Sequence, residues 1–94
     1  MYKSQIKDVL MDRGYPERFA DVVSGELLVV DETLLSGLSV WLENGTETDY
    51  SSHGYTLSGL MKSRGLTYPA ALLTMDWLIK EPDVAVKALE KRKY

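Results

Sequence analysis

Apolar residues recur along most of this chain at intervals of three and four, the spacing of a helix that buries one face. Tyr2, Ile6, Val9 and Leu10 share such a face, and Gly14 follows where a helix commonly stops. Tyr15-Pro16 opens a second segment, with Pro16 suited to a first helical turn and Phe19, Val22 and Val23 as apolar positions up to Ser24-Gly25. The run Leu27-Leu28-Val29-Val30 is β-branched at its end, but a lone strand has no partner, so a buried helical or extended connector is expected. Asp31 is placed as an N-cap before Leu34, Leu35, Leu38, Trp41 and Leu42, and Asn44-Gly45 ends that helix. Residues 46–54 are polar and aperiodic, the pattern of a surface loop. Thr56 can cap a helix carrying Leu57, Leu60 and Met61, which Gly65 closes, with Leu66 placed to pack back on Met61.

The most apolar segment comes next, from about Tyr68 to Lys80, with Pro69 in its first turn. Ala71, Leu72, Met75, Leu78 and Ile79 fill one arc of roughly 120° on a helical wheel. Ala70, Leu73 and Trp77 form a second stripe, set off by Asp76 and Lys80 on one flank and Thr74 on the other. Glu81-Pro82 breaks the pattern, and a last helix carries Val84, Val86, Ala88 and Leu89. It ends in Lys91-Arg92-Lys93, cations that complement the negative end of a helix. These elements predict an all-α fold: a compact single-domain bundle of five or six short helices over residues 1–94. The 68–80 helix is expected to be its most buried element. If the second stripe stays open, Leu73 and Trp77 are candidate anchors for a protein partner or for a second copy of the chain.

Composition narrows the classes. With 94 residues, 45% hydrophobic and 27% charged, the chain has material for one modest core and little to enclose a deep active site. No apolar run approaches the ~20 residues of a membrane span, and Met1-Tyr2-Lys3-Ser4-Gln5 lacks a signal-peptide pattern, so a cytoplasmic, non-membrane protein is expected. Cysteine is absent, which removes thiol nucleophiles and thiolate metal sites. Residues 17–50 hold eight acids against one base, whereas residues 59–94 hold seven bases against four acids. An acidic middle argues against a broad nucleic-acid footprint and suits a basic protein partner.

Candidate chemistry is sparse. His53 is the one histidine, beside Asp49, Ser51 and Ser52, and Asp49 could orient it as a general base. Either serine would need a special turn to reach it as a nucleophile. Glu47 and Asp49 lack the alternating acids of a calcium loop, and no glycine-rich phosphate cradle is present. No enzymatic activity, cofactor or metal is therefore expected.

Two motifs point to interaction. Leu57–Gly65 followed by Leu66–Lys80 resembles a helix-turn-helix, although Thr74, Asp76 and Lys80 are poor base readers. Leu10-Met11-Asp12-Arg13-Gly14-Tyr15-Pro16, with Ala20 beyond, resembles the first loop of ubiquitin-associated-type domains, and Asp31–Glu43 with Trp41-Leu42 stands where their third helix lies. The resemblance covers under half the chain and departs at Arg13, where those domains carry methionine. It implies a small three-helix unit that binds other proteins. A fainter likeness links Leu10–Pro16 to Leu60–Pro69, both helix, glycine stop and Tyr-Pro, with spacings that differ by three residues. The functional expectation is a non-enzymatic protein-interaction or regulatory module that contacts an unknown protein partner or a second copy of itself; the alternative is a small helix-turn-helix-like DNA-binding regulator.

Overall fold

The computed structural model describes residues 1–91. Arg92 and Lys93 of the basic tail lie outside them. The fold is all-α, as the periodicity predicts. Among the described residues are six helices and one two-stranded hairpin: α1 Lys3–Asp12, α2 Glu17–Leu27, α3 Glu32–Asn44, β1 Ser51–Ser52, β2 Tyr55–Thr56, α4 Leu57–Arg64, α5 Tyr68–Lys80 and α6 Pro82–Lys91. Contacts gather into two units, Met1–Thr46 and Glu47–Tyr94.

In the first unit, α1 turns Ile6 and Leu10 fully inward. Tyr2 does not join them. It is the N-cap and is 72% exposed, with its backbone N–H donating to Gln5 Oε1 at 2.8 Å. At the other end, the Gly14 N–H donates to the Met11 carbonyl and the Tyr15 N–H to the Leu10 carbonyl, both at 3.0 Å. This Schellman closure needs a left-handed residue, and Gly14 supplies it at φ +92°.

The second helix runs past Ser24-Gly25, where the sequence suggested a stop. Ser24 is buried but satisfied, its hydroxyl donating to the Asp21 carbonyl at 3.0 Å, so the helix continues to Leu27. Its inward face is Ala20, Val23, Ser24 and Leu27, while Val22, expected inside, is 56% exposed. Tyr15 stacks on Phe19 with ring centres 5.2 Å apart. Lys3 and Lys7 both reach Asp21, at 3.1 and 3.7 Å, tying α1 to α2. The Lys3 hydrogen bond and charge, followed by Lys7, hold the Asp21 carboxyl below its ordinary pKa. Beyond α2, Val30 is buried and Val29 is 68% exposed, so the connector is buried only in part.

The α3 N-cap falls on Asp31, whose carboxylate accepts from the Thr33 N–H and hydroxyl. Leu34, Leu38 and Trp41 are buried, and Gly45 ends the helix at φ +79°.

In the second unit, residues 46–54 are more than a loop. Ser52 pairs with Tyr55 and Ser51 with Thr56 across a two-residue turn, His53-Gly54. Both turn residues have positive φ, +51° and +84°, as the favoured hairpin turn of this length requires. Histidine stands where asparagine or aspartate is usual, which hid the turn from composition. The hairpin delivers the chain to α4 with that helix's first donors met in sequence. The Leu57 N–H donates to the Tyr50 carbonyl, the Ser58 N–H to Asp49 Oδ1 and the Gly59 N–H to Thr56 Oγ1. The Ser58 hydroxyl adds a 2.8 Å bond to Asp49.

These Ser58 bonds, foremost the backbone one, hold Asp49 below its ordinary pKa of 3.8. A carboxyl depressed by folding lends stability above its unfolded pKa and loses it as pH falls through the folded value. Urea midpoints are therefore expected to decline below about pH 3.8 partly through Asp49. An Asp49→Asn chain should show a shallower acid limb; an unchanged slope would contradict the role.

Thr67 caps α5, and Pro69 sits in its first turn. Tyr68, Pro69, Ala71, Leu72, Met75 and Leu78 are buried, more than in any other helix described. The Tyr68 hydroxyl lies 3.5 Å from the Thr48 carbonyl, and burial, with the nearby Tyr50, Glu47 and Asp49, pushes its pKa up to about 12. In α6 the buried pair is Ala85 and Leu89; Val84, expected inward, is 54% exposed.

The two units share a local design. At a constant spacing of 51 residues, Ile6 matches Leu57, Ala20 matches Ala71, Leu27 matches Leu78, Leu34 matches Ala85 and Leu38 matches Leu89, each pair buried. Arg13-Gly14 matches Arg64-Gly65, both glycines left-handed. Each arginine reaches forward to its unit's last helix. Arg13 Nη2 donates to the Leu42 carbonyl at 3.1 Å, and Arg64 Nη2 to the Leu89 carbonyl at 2.8 Å. The repeat hinted at by Tyr-Pro is thus real in pattern but set in another register. Pro16 matches the cap residue Thr67, and the two Tyr-Pro pairs are not equivalent.

Candidate interaction surfaces

The hairpin brings Ser52 and His53 together through the special turn that the sequence argument required. Ser52 Oγ lies 2.7 Å from His53 Nδ1. Asp49 does not complete a triad. Its carboxylate is engaged at the start of α4 by Tyr50 and Ser58. His53 is exposed at the turn and borders an open cleft of about 350 Å³ against the first residues of α6, Pro82, Asp83, Val86 and Lys87. Among the described residues, no three histidine, cysteine or acidic side chains gather as metal ligands.

On α5, Leu73 and Trp77 are both half-buried, as is Ala70 in the same stripe. They are neither the open face of a docking helix nor full members of the core. The polar positions between the stripes bond locally: the Thr74 hydroxyl donates to the Ala70 carbonyl, and Lys80 pairs with Asp76 at 3.0 Å. In the helix-turn-helix reading this is the recognition helix, and it is the helix with the most buried residues of the six.

A third surface lies wholly within the first unit. Met1, just before α1, with Gln5 and Val9 on α1 and Ser39, Leu42 and Glu43 on α3, lines a shallow groove of about 270 Å³. Val9 and Leu42 are half-buried, and Met1 is 50% exposed. Periodicity alone could not find this groove, because it counts Val9 and Leu42 simply as inward positions. Arg13, at the C-terminal end of α1, also reaches the C-terminal end of α3. The guanidinium carbon sits 4.1 Å above the Trp41 ring centre while Nη2 holds the Leu42 carbonyl. Arg13 stands at the position where the ubiquitin-associated-type pattern has methionine, and here it serves to close the unit.

Comparison with protein-family models, with curated proteins and with solved structures finds no match for the chain. The surfaces themselves are what bear on its function. No helix of the described residues is long and apolar enough to cross a membrane.

Proposed function

We propose that this chain is a non-enzymatic, cytoplasmic protein-contact module that docks a partner protein through the α1–α3 groove. One observation carries the reading: an open groove, half apolar and half polar, on a three-helix unit with no clustered chemistry. Such a surface suits recognition, where a few apolar anchors and a polar rim provide affinity and register. The likeness of Leu10–Ala20 and Trp41-Leu42 to small protein-binding three-helix domains supports the same class by analogy. Leu73 and Trp77, half-buried on α5, are the second candidate contact.

The test places a photo-crosslinking residue at Leu42 in the full chain, in lysate of the source cell, and identifies the adduct by mass spectrometry. One defined partner is expected. Its binding should fall at least about tenfold in a Leu42→Asp chain that keeps its helical circular dichroism, since burying an unpaired carboxylate costs more than the ~1.4 kcal/mol of a tenfold change. A folded Leu42→Asp chain that binds the same partner unchanged contradicts the groove. Loss with Trp77→Ala instead moves the site to α5.

A further inference from the structure

Asn44 is the one asparagine of the chain, and glycine follows it. Such a pair is prone to self-modification, because the next backbone nitrogen can reach the side-chain amide and glycine has no Cβ to hinder the approach. Here the pair also ends a helix. Asn44 is the last residue of α3 and Gly45 is its left-handed cap. The other left-handed glycines among the described residues, Gly14, Gly54 and Gly65, follow Arg13, His53 and Arg64, which carry no amide side chain.

The fold leaves the pair open to water. Asn44, Gly45 and Thr46 are all exposed, and a Cβ placed on Gly45 would meet nothing within 4 Å. No packed neighbour shields the reaction, so the restraint comes from hydrogen bonds. The Gly45 N–H donates to the Trp41 carbonyl at 2.8 Å, and Asn44 Oδ1 accepts from the Thr46 N–H at 2.9 Å. The nitrogen that would attack therefore has its proton engaged in the helix ladder, and the amide that would be attacked is turned onto the residue beyond.

We infer that Asn44 is a self-modification site gated by the last turn of α3. When that turn opens, a solvent hydroxide takes the Gly45 amide proton and the nitrogen attacks Asn44 Cγ. A new C–N bond forms there, the bond from Cγ to the side-chain nitrogen breaks, and that nitrogen leaves as ammonia with a proton from water. Water then opens the succinimide at one of its two carbonyls. Attack at Cγ gives aspartate, and attack at the main-chain carbon gives isoaspartate, whose chain runs through Cβ. Either product places a carboxylate at the negative end of α3, beside Glu43. Isoaspartate also adds one atom to the main chain between the Trp41 carbonyl and the Gly45 N–H, so the helical ring that they closed does not re-form as before. Closing of the turn cannot undo the step, and successive openings accumulate as product. The turn that is lost carries Leu42 and Glu43, two of the groove residues.

The experiment incubates the full chain at neutral pH, folded in buffer and unfolded in urea. The peptide holding residue 44 is followed by mass spectrometry, with isoaspartate identified by electron-based fragmentation. Amide hydrogen exchange measures protection of the Gly45 N–H in the folded chain. In urea, Asn44 should convert with release of ammonia, mostly to isoaspartate, and an Asn44→Gln chain should show neither product. Folding should slow the conversion at least about tenfold, by a factor within about threefold of the Gly45 protection, since both need the same local opening. The purified isoaspartate form should refold with protection lost at residues 41–45 and unchanged in α4 to α6. Equal rates in the folded and unfolded chains, or slowing outside that range, overturn the gate. An isoaspartate form that keeps native protection at the end of α3 overturns the consequence.

Discussion

Replacing Leu72 with alanine should destabilise the protein by about 2–5 kcal/mol, whereas Leu73→Ala, one position along the same helix, should cost roughly 1 kcal/mol or less. The two side chains are chemically identical, so the contrast isolates environment. Leu72 has no exposed surface, and truncation there removes apolar burial and leaves a cavity that the packed neighbours on α5 fill only in part. Leu73 is half-buried, and its removal opens onto solvent. Because small domains have only about 5–15 kcal/mol of stability, the Leu72 variant should unfold at visibly lower urea or temperature. Equal costs at the two positions would mean that the Ala70–Leu73–Trp77 stripe is as interior as the first one. That result would also remove Leu73 and Trp77 from any contact surface.

The second large effect is expected at the arginine clasps. Arg64→Gln removes a charged donor from the Leu89 carbonyl in a partly buried setting, for a loss of about 1–3 kcal/mol. Arg13→Gln loses an exposed bond to Leu42 and the stacking over Trp41, together about 1–2 kcal/mol. Amide hydrogen exchange on the full chain can resolve where each loss falls. Arg64→Gln should lower protection in α4 to α6, and Arg13→Gln in α1 to α3, because each clasp closes one three-helix unit. A uniform loss across both units from either variant would contradict the paired design.

Much of this architecture is legible in the sequence because it is set by short-range signals. Asp31, Thr56 and Thr67 begin helices where their side chains accept backbone N–H bonds, and Gly14, Gly45 and Gly65 end them in left-handed conformations. The long apolar arc of α5 carried the prediction that it is the most buried helix. The failures have equally specific causes. Ser24-Gly25 looks like a stop, but the serine satisfies itself on the Asp21 carbonyl and the glycine keeps helical geometry. Val22 and Val84 are core residues by type, yet the buried positions on those helices include the smaller Ala20 and Ala85. The hairpin rests on a histidine in a positive-φ turn, a residue choice with weak statistical signal. The candidate groove was not legible, since it needs two helices some thirty residues apart to be brought side by side. The 51-residue repeat is carried by few positions, among them Ala20 and Ala71, Leu27 and Leu78, and Arg13-Gly14 and Arg64-Gly65, and the Tyr-Pro pairs lie out of its register.

The most direct test of the protein-contact reading is hydrogen exchange of the full chain with and without the partner trapped at Leu42, followed residue by residue. Binding should add protection along α1 and α3 around Val9, Ser39 and Leu42 and leave α5 unchanged. Protection gained instead around Leu73 and Trp77, or none in the first unit, would contradict it.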